Sequence, residues 1–548
     1  MPSTDRILRL QGLFGRGEWQ EIVRTYESFG PAPADADLDY LYARALAQLG
    51  LLEEAREGFL MGRRMRPRDA RFPIELAGIA FRQKRYSEAE KWLRRGLRID
   101  PADAYANDFL ATIYFLEGNL EAALSCWNRI GKPQIDEVRA EPVPRVRADL
   151  LDRALTFSPA AELRLSDLRT SEVRTEALGI FSLYRPQLAA NEDGRFDAVQ
   201  YLQERNGWGS NAWDGLLSTF SGVAYQTLYP SYYNLGRSAV NITSLVRWDD
   251  QKRRLAIDLA GPFKLNPKWR YRMNMDLRNE NWAVRDSFTG PAQLLGALNL
   301  RREVGGIEIS SFNSGRWDWT AGAEISYRDY RDVVPGSTLT PQLLLHGMQL
   351  KQLVRLRHEV LLIPEHRLVI TSRFASELGR IWSQPAEAFA KLQGSLASSW
   401  LPKAQGDDFA TQVRVRSGVT IGQTPFDELY MLGLERDNDL WLRAHIGTHD
   451  GRKGSAPLGT RYLLTNAEID KNVYSNGLFT GKLSPFLDTG KITDPGGDLG
   501  SPKWLWDTGI QAKLRVLGVS FTFSYGKDLR TGNNAYYFMA GHETRPSN

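Results

Sequence analysis

From about residue 207 onward the chain alternates apolar and polar side chains in run after run. Tyr271-Arg272-Met273-Asn274-Met275-Asp276-Leu277-Arg278 is one run, and Trp317 to Arg328 is another. A period of two sends every second side chain to the same face of a strand. One face then carries Tyr, Met, Leu, Trp and Ile, and the other carries Arg, Asn, Asp, Glu and Ser. A dry sandwich core has no place for the second set. A closed barrel with a greasy exterior and a wet interior suits both. The expected fold of residues 207–542 is therefore a transmembrane antiparallel β-barrel of about sixteen strands. A soluble β protein is the rival reading.

Composition agrees without deciding the matter. Mean hydropathy is −0.39 and 42% of residues are hydrophobic, as expected when barrel strands spend half their residues on lipid. No apolar stretch is long enough for a spanning helix. The 15 Trp, 21 Tyr and 23 Phe could furnish aromatic girdles. A formal charge of +5 on so long a chain makes no case for nucleic acid. Cys126 is the only cysteine, so there is no disulfide framework and the redox compartment stays open. Met1 to Arg6 lacks a basic segment followed by an apolar core. A barrel bound for an outer membrane must first cross the inner one, so an export signal is expected to have been trimmed.

The N-terminal third has a different period. Ala55, Ala89 and Ala123 recur at intervals of 34 residues, as do Phe59, Leu93 and Trp127, and Gly50, Lys84 and Gly118. Pro67 and Pro101 keep the same step. A small residue lets two helices approach, a large one four positions later fills the gap, and proline ends the second helix. This pattern resembles tetratricopeptide repeats. A weaker copy, with Ile22 and Tyr26 in the matching slots, brings the count to three or four repeats over residues 3–133. The resemblance implies a concave surface for a protein or peptide. Arg63, Arg64, Arg66, Arg68 and Arg71 read as a solvated charged face.

Pro133, Pro142 and Pro144 interrupt the repeats. A helix is expected from Leu163 to Phe181, then a strand at Leu183–Leu188, a turn at Asn191–Gly194 and a strand at Phe196–Glu204. This small α/β unit at residues 147–206 resembles a POTRA module, the periplasmic domain ahead of barrels in the BamA, TamA and two-partner-secretion (FhaC-like) transporter superfamily. The barrel side carries the same resemblance. Asn211 to Arg254, with Tyr229-Pro230 and Asn234–Arg237 in its connection, is similar to the superfamily's opening hairpin, and Gly261-Pro262-Phe263 follows. Leu442-Arg443-Ala444-His445, after Leu432-Gly433, resembles its Val-Arg-Gly-Phe/Tyr motif on a loop folded into the lumen. Asn466-Ala467-Glu468 resembles the start of the next strand. Pro485-Phe486-Leu487-Asp488-Thr489-Gly490 resembles its Phe-x-Asp-x-Gly strand. The resemblance implies that Arg443 meets Asp488, a bidentate pair that would lock the loop inside. Ala444 and His445 depart from the motif's glycine and aromatic. Ile510–Val516, Val519–Gly526 and Ala535–Gly541 read as closing strands, followed by a tail from His542.

No cofactor or metal site is expected. His445 and His449 are four apart but fall in a loop, and Gly451-Arg452-Lys453-Gly454-Ser455 lacks the strand and helix a phosphate loop needs. Enzyme activity is not expected. The expected role is an outer-membrane protein assembly or translocation factor, with the N-terminal domains in the periplasm. Its expected partners are the lipid bilayer, a client outer-membrane or exported polypeptide, and a periplasmic protein held by the repeats. Trp213–Ala224 and Tyr536–Gly541 would be the seam strands. The alternatives are a polysaccharide export conduit and a surface-lipoprotein export factor.

Overall fold

The computed structural model describes residues 3–30, 35–286, 293–334, 339–403, 406–476, 479–494, 499–501, 503–516 and 519–542. The tail beyond His542 lies outside them. The described residues form two compact units, Met1–Gln134 and Ile135–Asn548.

The first unit is an array of helix pairs: α1 (Ser3–Gly15) with α2 (Trp19–Ser28), α3 (Ala36–Gln48) with α4 (Leu52–Met65), α5 (Arg71–Arg82) with α6 (Tyr86–Ile99), and α7 (Ala104–Leu116) with α8 (Leu120–Trp127). Ala55, Phe59, Ala89, Leu93, Ala123 and Trp127 are all buried between helices. Ile22 is buried too, whereas Tyr26 donates its hydroxyl to Asp39 at 2.5 Å. Gly50, Lys84 and Gly118 sit in the turns within pairs and adopt positive φ, at 85°, 59° and 76°. That left-handed conformation closes a helix most easily with glycine. α4 and α6 stop just before Pro67 and Pro101. Of the basic cluster, Arg66 and Arg71 each pair with Asp37 at 2.8 Å.

The second unit starts with a three-stranded sheet. β1 (Ile135–Glu141), α9 (Ala148–Ala154), α10 (Leu165–Ala177), β2 (Phe181–Ala190) and β3 (Phe196–Glu204) follow in that order, and the sheet order is β1-β3-β2. β1 runs parallel to β3, so the sheet takes in a strand from Ile135, upstream of the residues 147–206 expected for the module. Its sequence, Ile-Asp-Glu-Val-Arg-Ala-Glu, hid it: an edge strand with mostly exposed positions needs few apolar side chains.

The wall follows: β4 (Thr227–Leu228), β5 (Ser231–Leu235), β6 (Val240–Trp248), β7 (Lys252–Phe263), β8 (Asn266–Arg285), β9 (Leu294–Ser314), β10 (Trp317–Val334), β11 (Gly347–Ile363), β12 (Leu368–Ile381), β13 (Glu387–Trp400) and β14 (Phe409–Gly422). After a long loop holding the short strands β15 (Tyr430–Met431), β16 (Thr448–His449), β17 (Arg452–Lys453) and β18 (Leu458–Gly459), it resumes. β19 (Arg461–Ser475), β20 (Phe479–Thr493), β21 (Leu505–Val516), β22 (Val519–Asp528) and β23 (Asn534–His542) complete a closed barrel. The wall thus has sixteen segments, but β4 and β5 pair with β6 in one continuous register and are halves of a single strand.

The alternation behaves as its period dictates. Met273 and Met275 on β8 are exposed on the outer face. The residues that flank them in sequence take the opposite, polar face: Arg272 pairs with Asp258 at 2.6 Å and Asp276 with Arg254 at 2.7 Å. No described helix is long and apolar enough to cross a membrane.

One element departs from expectation. Residues expected to form the first seam strand, Trp213–Ala224, instead form α11 (Ala212–Phe220) and a 3₁₀ turn at Val223–Tyr225. The opening hairpin is accordingly Thr227–Trp248, not Asn211–Arg254. Asn211 caps α11 through its side-chain oxygen, and Trp213, Leu216, Phe220 and Val223 recur at helical rather than strand spacing.

The small sheet module sits on the barrel's turns. Arg174 Nε donates to the Phe312 carbonyl at 3.0 Å, Asn241 Nδ2 to that of Leu178 at 2.8 Å, and Gly315 N to Thr170 Oγ1 at 3.0 Å. Ala239 from the turn after β5 enters the module's apolar core with Leu150, Leu178 and Leu202.

Candidate functional site: the lumen loop and its anchors

Residues 423–460 connect β14 to β19, and they fold against the inside of the wall. Two kinds of contact hold them. Phe426, Met431, Ala456 and Leu458 join an apolar cluster with Trp282, Leu298, Leu300 and Tyr330 of the wall. Leu432, Leu440 and Leu442 join another with Tyr462, Leu464, Ile492 and Leu505. Between these clusters the loop is pinned by charge.

Arg443 is the most heavily bonded of the anchors. Its Nη2 and Nε reach the two oxygens of Asp488 at 2.7 and 2.8 Å, and its backbone N–H adds a third bond at 3.2 Å. Nη1 donates to Glu468 at 2.7 Å and to Gln511 at 3.1 Å. The guanidinium carbon lies 3.9 Å from the centroid of the Phe486 ring, in cation–π contact. Arg443, Asp488, Glu468 and Phe486 are thus brought together, with the wall residues coming from β19 and β20. Gly490 supports the group indirectly: a side chain there would press on Leu432 at 3.2 Å.

The two departures from the motif have local explanations. Ala444 fits because the close approach is made on the wall side, where a Cβ on Gly526 of β22 would fall 2.5 Å from the Arg443 carbonyl oxygen. Ala444 N then donates to Asp507 at 2.7 Å. His445 contributes hydrogen bonding instead of stacking: it is buried, with Nδ1 3.1 Å from Asp507 and Nε2 3.7 Å from Asp528. His445 therefore differs from His449, which is half-exposed beside Asp450. His445, Asp507 and Asp528 each offer a ligand atom within 4.8 Å of one another. The two imidazole nitrogens face different carboxylates, Nδ1 within hydrogen-bond distance of Asp507 and Nε2 at the longer ion-pair distance from Asp528.

Sequence reasoning missed two further anchors, both acidic. At the root of the loop, Asp427 and Glu428 meet Arg302 of β9 at 3.2 and 3.1 Å and Arg328 of β10 at 3.2 and 3.5 Å. Glu428 also meets Lys351 of β11 at 3.4 Å and Lys391 of β13 at 3.3 Å. At the tip, Asp437 receives Arg247 of β6 at 2.8 Å, Arg254 of β7 at 2.7 Å and Lys453 at 2.9 Å. Lys453 also reaches Glu280 of β8 at 2.7 Å. The available signal was cations at the polar position of consecutive strands, facing a connection that carries an Asp-Glu pair. Each such charge is stable out of bulk water only with its partner in place.

Beside Asp437, Arg436 turns toward the closure of the wall. Its guanidinium lies 3.6 Å from the Tyr225 ring centroid and 5.9 Å from that of Tyr537 on β23. Tyr225 in turn donates to the Ala540 carbonyl at 2.5 Å. Among the described residues, no run of paired positions joins β23 to β4 or β5, whereas every other neighbouring pair of wall strands has one.

Residues 62–104 match the tetratricopeptide repeat family profile. The helical array is a tetratricopeptide-repeat domain. No curated protein matches the chain significantly. Among solved structures the chain is similar to BamA from Haemophilus ducreyi lacking POTRA domains 1-3, at 12% identity and TM-score 0.44, covering 74% of this chain and 84% of that one. CdiB from Escherichia coli aligns at 13% identity and TM-score 0.44, covering 75% of each chain. CdiB from Acinetobacter baumannii aligns at 11% identity and TM-score 0.43, covering 74% and 73%. MamA aligns at 16% identity and TM-score 0.21 over 22% of this chain and 71% of its own.

Proposed function

We propose that the protein is an outer-membrane assembly or translocation factor for polypeptides, working at a lateral seam between the last and first strands. The carrying observation is the closure itself. β23 and β4 are neighbours there and run in the same direction, whereas every other step of the wall is antiparallel. Strand edges with unmade backbone hydrogen bonds are sites of β-augmentation. A client segment would add there, while the anchored loop keeps the lumen from serving as an open pipe. That arrangement favours a polypeptide client over a polysaccharide conduit.

In this reading the barrel spans the outer membrane and the N-terminal domains face the periplasm. The repeats recruit a client or a periplasmic partner, and their groove of about 800 Å³ lined by Arg66–Arg71, Ile99, Asp100 and Asp103 offers a mixed-charge surface for it. The sheet module, docked on the turns, hands the client to the seam. Joining Tyr225→Cys to Ala540→Cys across the closure should block client assembly, read as loss of outer-membrane proteins by proteomics. Normal client assembly through the joined seam would overturn the reading. Selective loss of one surface lipoprotein, with other barrels intact, would redirect it to the export of that class.

A further inference from the structure

Consecutive wall strands pair antiparallel at every step from β4–β5 through β14 and β19 to β23. Counting β4–β5 once gives fifteen strands, so the first and last run in the same direction. An all-antiparallel ring needs an even number. The odd count makes the junction of β23 with β4–β5 a like-directed one, and a further strand entering there would run antiparallel to both.

The chain's own residues 207–222 stand at that edge. Gly207 and Tyr233 exchange two backbone hydrogen bonds, of 2.9 and 2.7 Å, in antiparallel sense. Farther along, Tyr229 N donates to the Thr219 carbonyl and Thr227 N to that of Gly222, each at 3.0 Å. Between these attachments the lengths disagree. The short stretch of strand from Tyr229 to Tyr233 faces the much longer stretch from Gly207 to Thr219, and the surplus is wound into α11. That helix turns Trp213 and Phe220 outward, 70% and 53% exposed, and buries Asp214 and Ser218. Beyond it Tyr225 bonds to the Ala540 carbonyl of β23 and stacks on Arg436 of the loop.

We propose that residues 207–222 are a built-in occupant of the seam's strand position, and that Arg436 latches this occupant through Tyr225 and Tyr537. α11 stores slack, so the segment leaves the β5 edge without strain on the chain when the seam takes a strand. The inference rests on reading the seam as a strand-accepting edge, but its test needs no client. Native-state hydrogen exchange of the protein in detergent reads the edge amides directly. Arg436→Ala should speed exchange of the Tyr229 and Tyr233 amides at least tenfold while those of β8 and β9 stay unchanged. Joining Thr219→Cys to Tyr229→Cys with a short cross-linker, in a Cys126→Ser background, should restore slow exchange to the Arg436→Ala protein. Should Arg436→Ala fail to fold, Tyr225→Phe, which loses the hydroxyl's bonds to Ala540 and Tyr229 but keeps the ring under Arg436, should raise exchange at the Tyr233 amide. Unchanged exchange in the folded variant, or fast exchange despite the cross-link, would overturn the proposal. Failure of the client experiment alone would leave it standing.

Discussion

Arg443 shows what one buried guanidinium asks of its surroundings. With Asp488 and Glu468 it forms a bonded group; removing the cation leaves buried Asp488 with the Asn466 amide but no cation, while Glu468 keeps Lys513 at 2.8 Å. Arg443→Ala is expected to destabilise the barrel by about 3–5 kcal/mol, measured as a lower urea midpoint of the refolded protein. Gly526→Ala should act on the same contact from the other side. Its Cβ would fall 2.5 Å from the Arg443 carbonyl, and the crowding should cost about 1–3 kcal/mol by the same measurement. The Arg443–Asp488 contact could be expected from resemblance alone, because the loop arginine and the strand aspartate each sit in a short run that resembles a known motif. Asp437 and Glu428 could not: they sit in no motif, and their roles depend on which wall cations the closed ring brings round to them.

At the level of elements, local chemistry was readable wherever a period was long enough to count. The 34-residue step located the packing residues of the repeats and their turns. Lys84 occupies one of those turns at φ 59°, where Gly50 and Gly118 stand in its sister repeats. Lys84→Gly should therefore raise the stability of the helical unit by about 0.5–1 kcal/mol, seen as a later melt of the far-ultraviolet helical signal. A second case concerns docking. A Cβ on Gly315 would come within 2.7 Å of the Arg169 backbone. Gly315→Ala should loosen the sheet module from the barrel turn, detected as faster proteolysis between residues 204 and 227. Two elements were misread for opposite reasons. β1 is too polar to announce itself, because its edge position buries so little. α11 stands where a barrel is expected to begin with a strand, although its apolar residues recur every three or four positions.

For the whole molecule, the loop and the closure form one system. The loop is anchored to strands on both sides of the ring, and Arg436 lies next to Asp437, which holds Arg247 and Arg254. Asp437→Asn should leave Arg247 without a carboxylate, while Arg254 keeps Asp276 and Lys453 keeps Glu280; the loosened loop tip should raise single-channel conductance in planar bilayers. The alternation by itself determined strands with one polar and one apolar face, since a period of two sends successive side chains to opposite sides. The 34-residue repeat determined the helical array in the same local way. Tertiary structure alone decided how the ring closes. Strand parity, the surplus length wound into α11 and the meeting of Asp437 or Glu428 with their cations depend on residues far apart in sequence, and only the closed wall sets those distances.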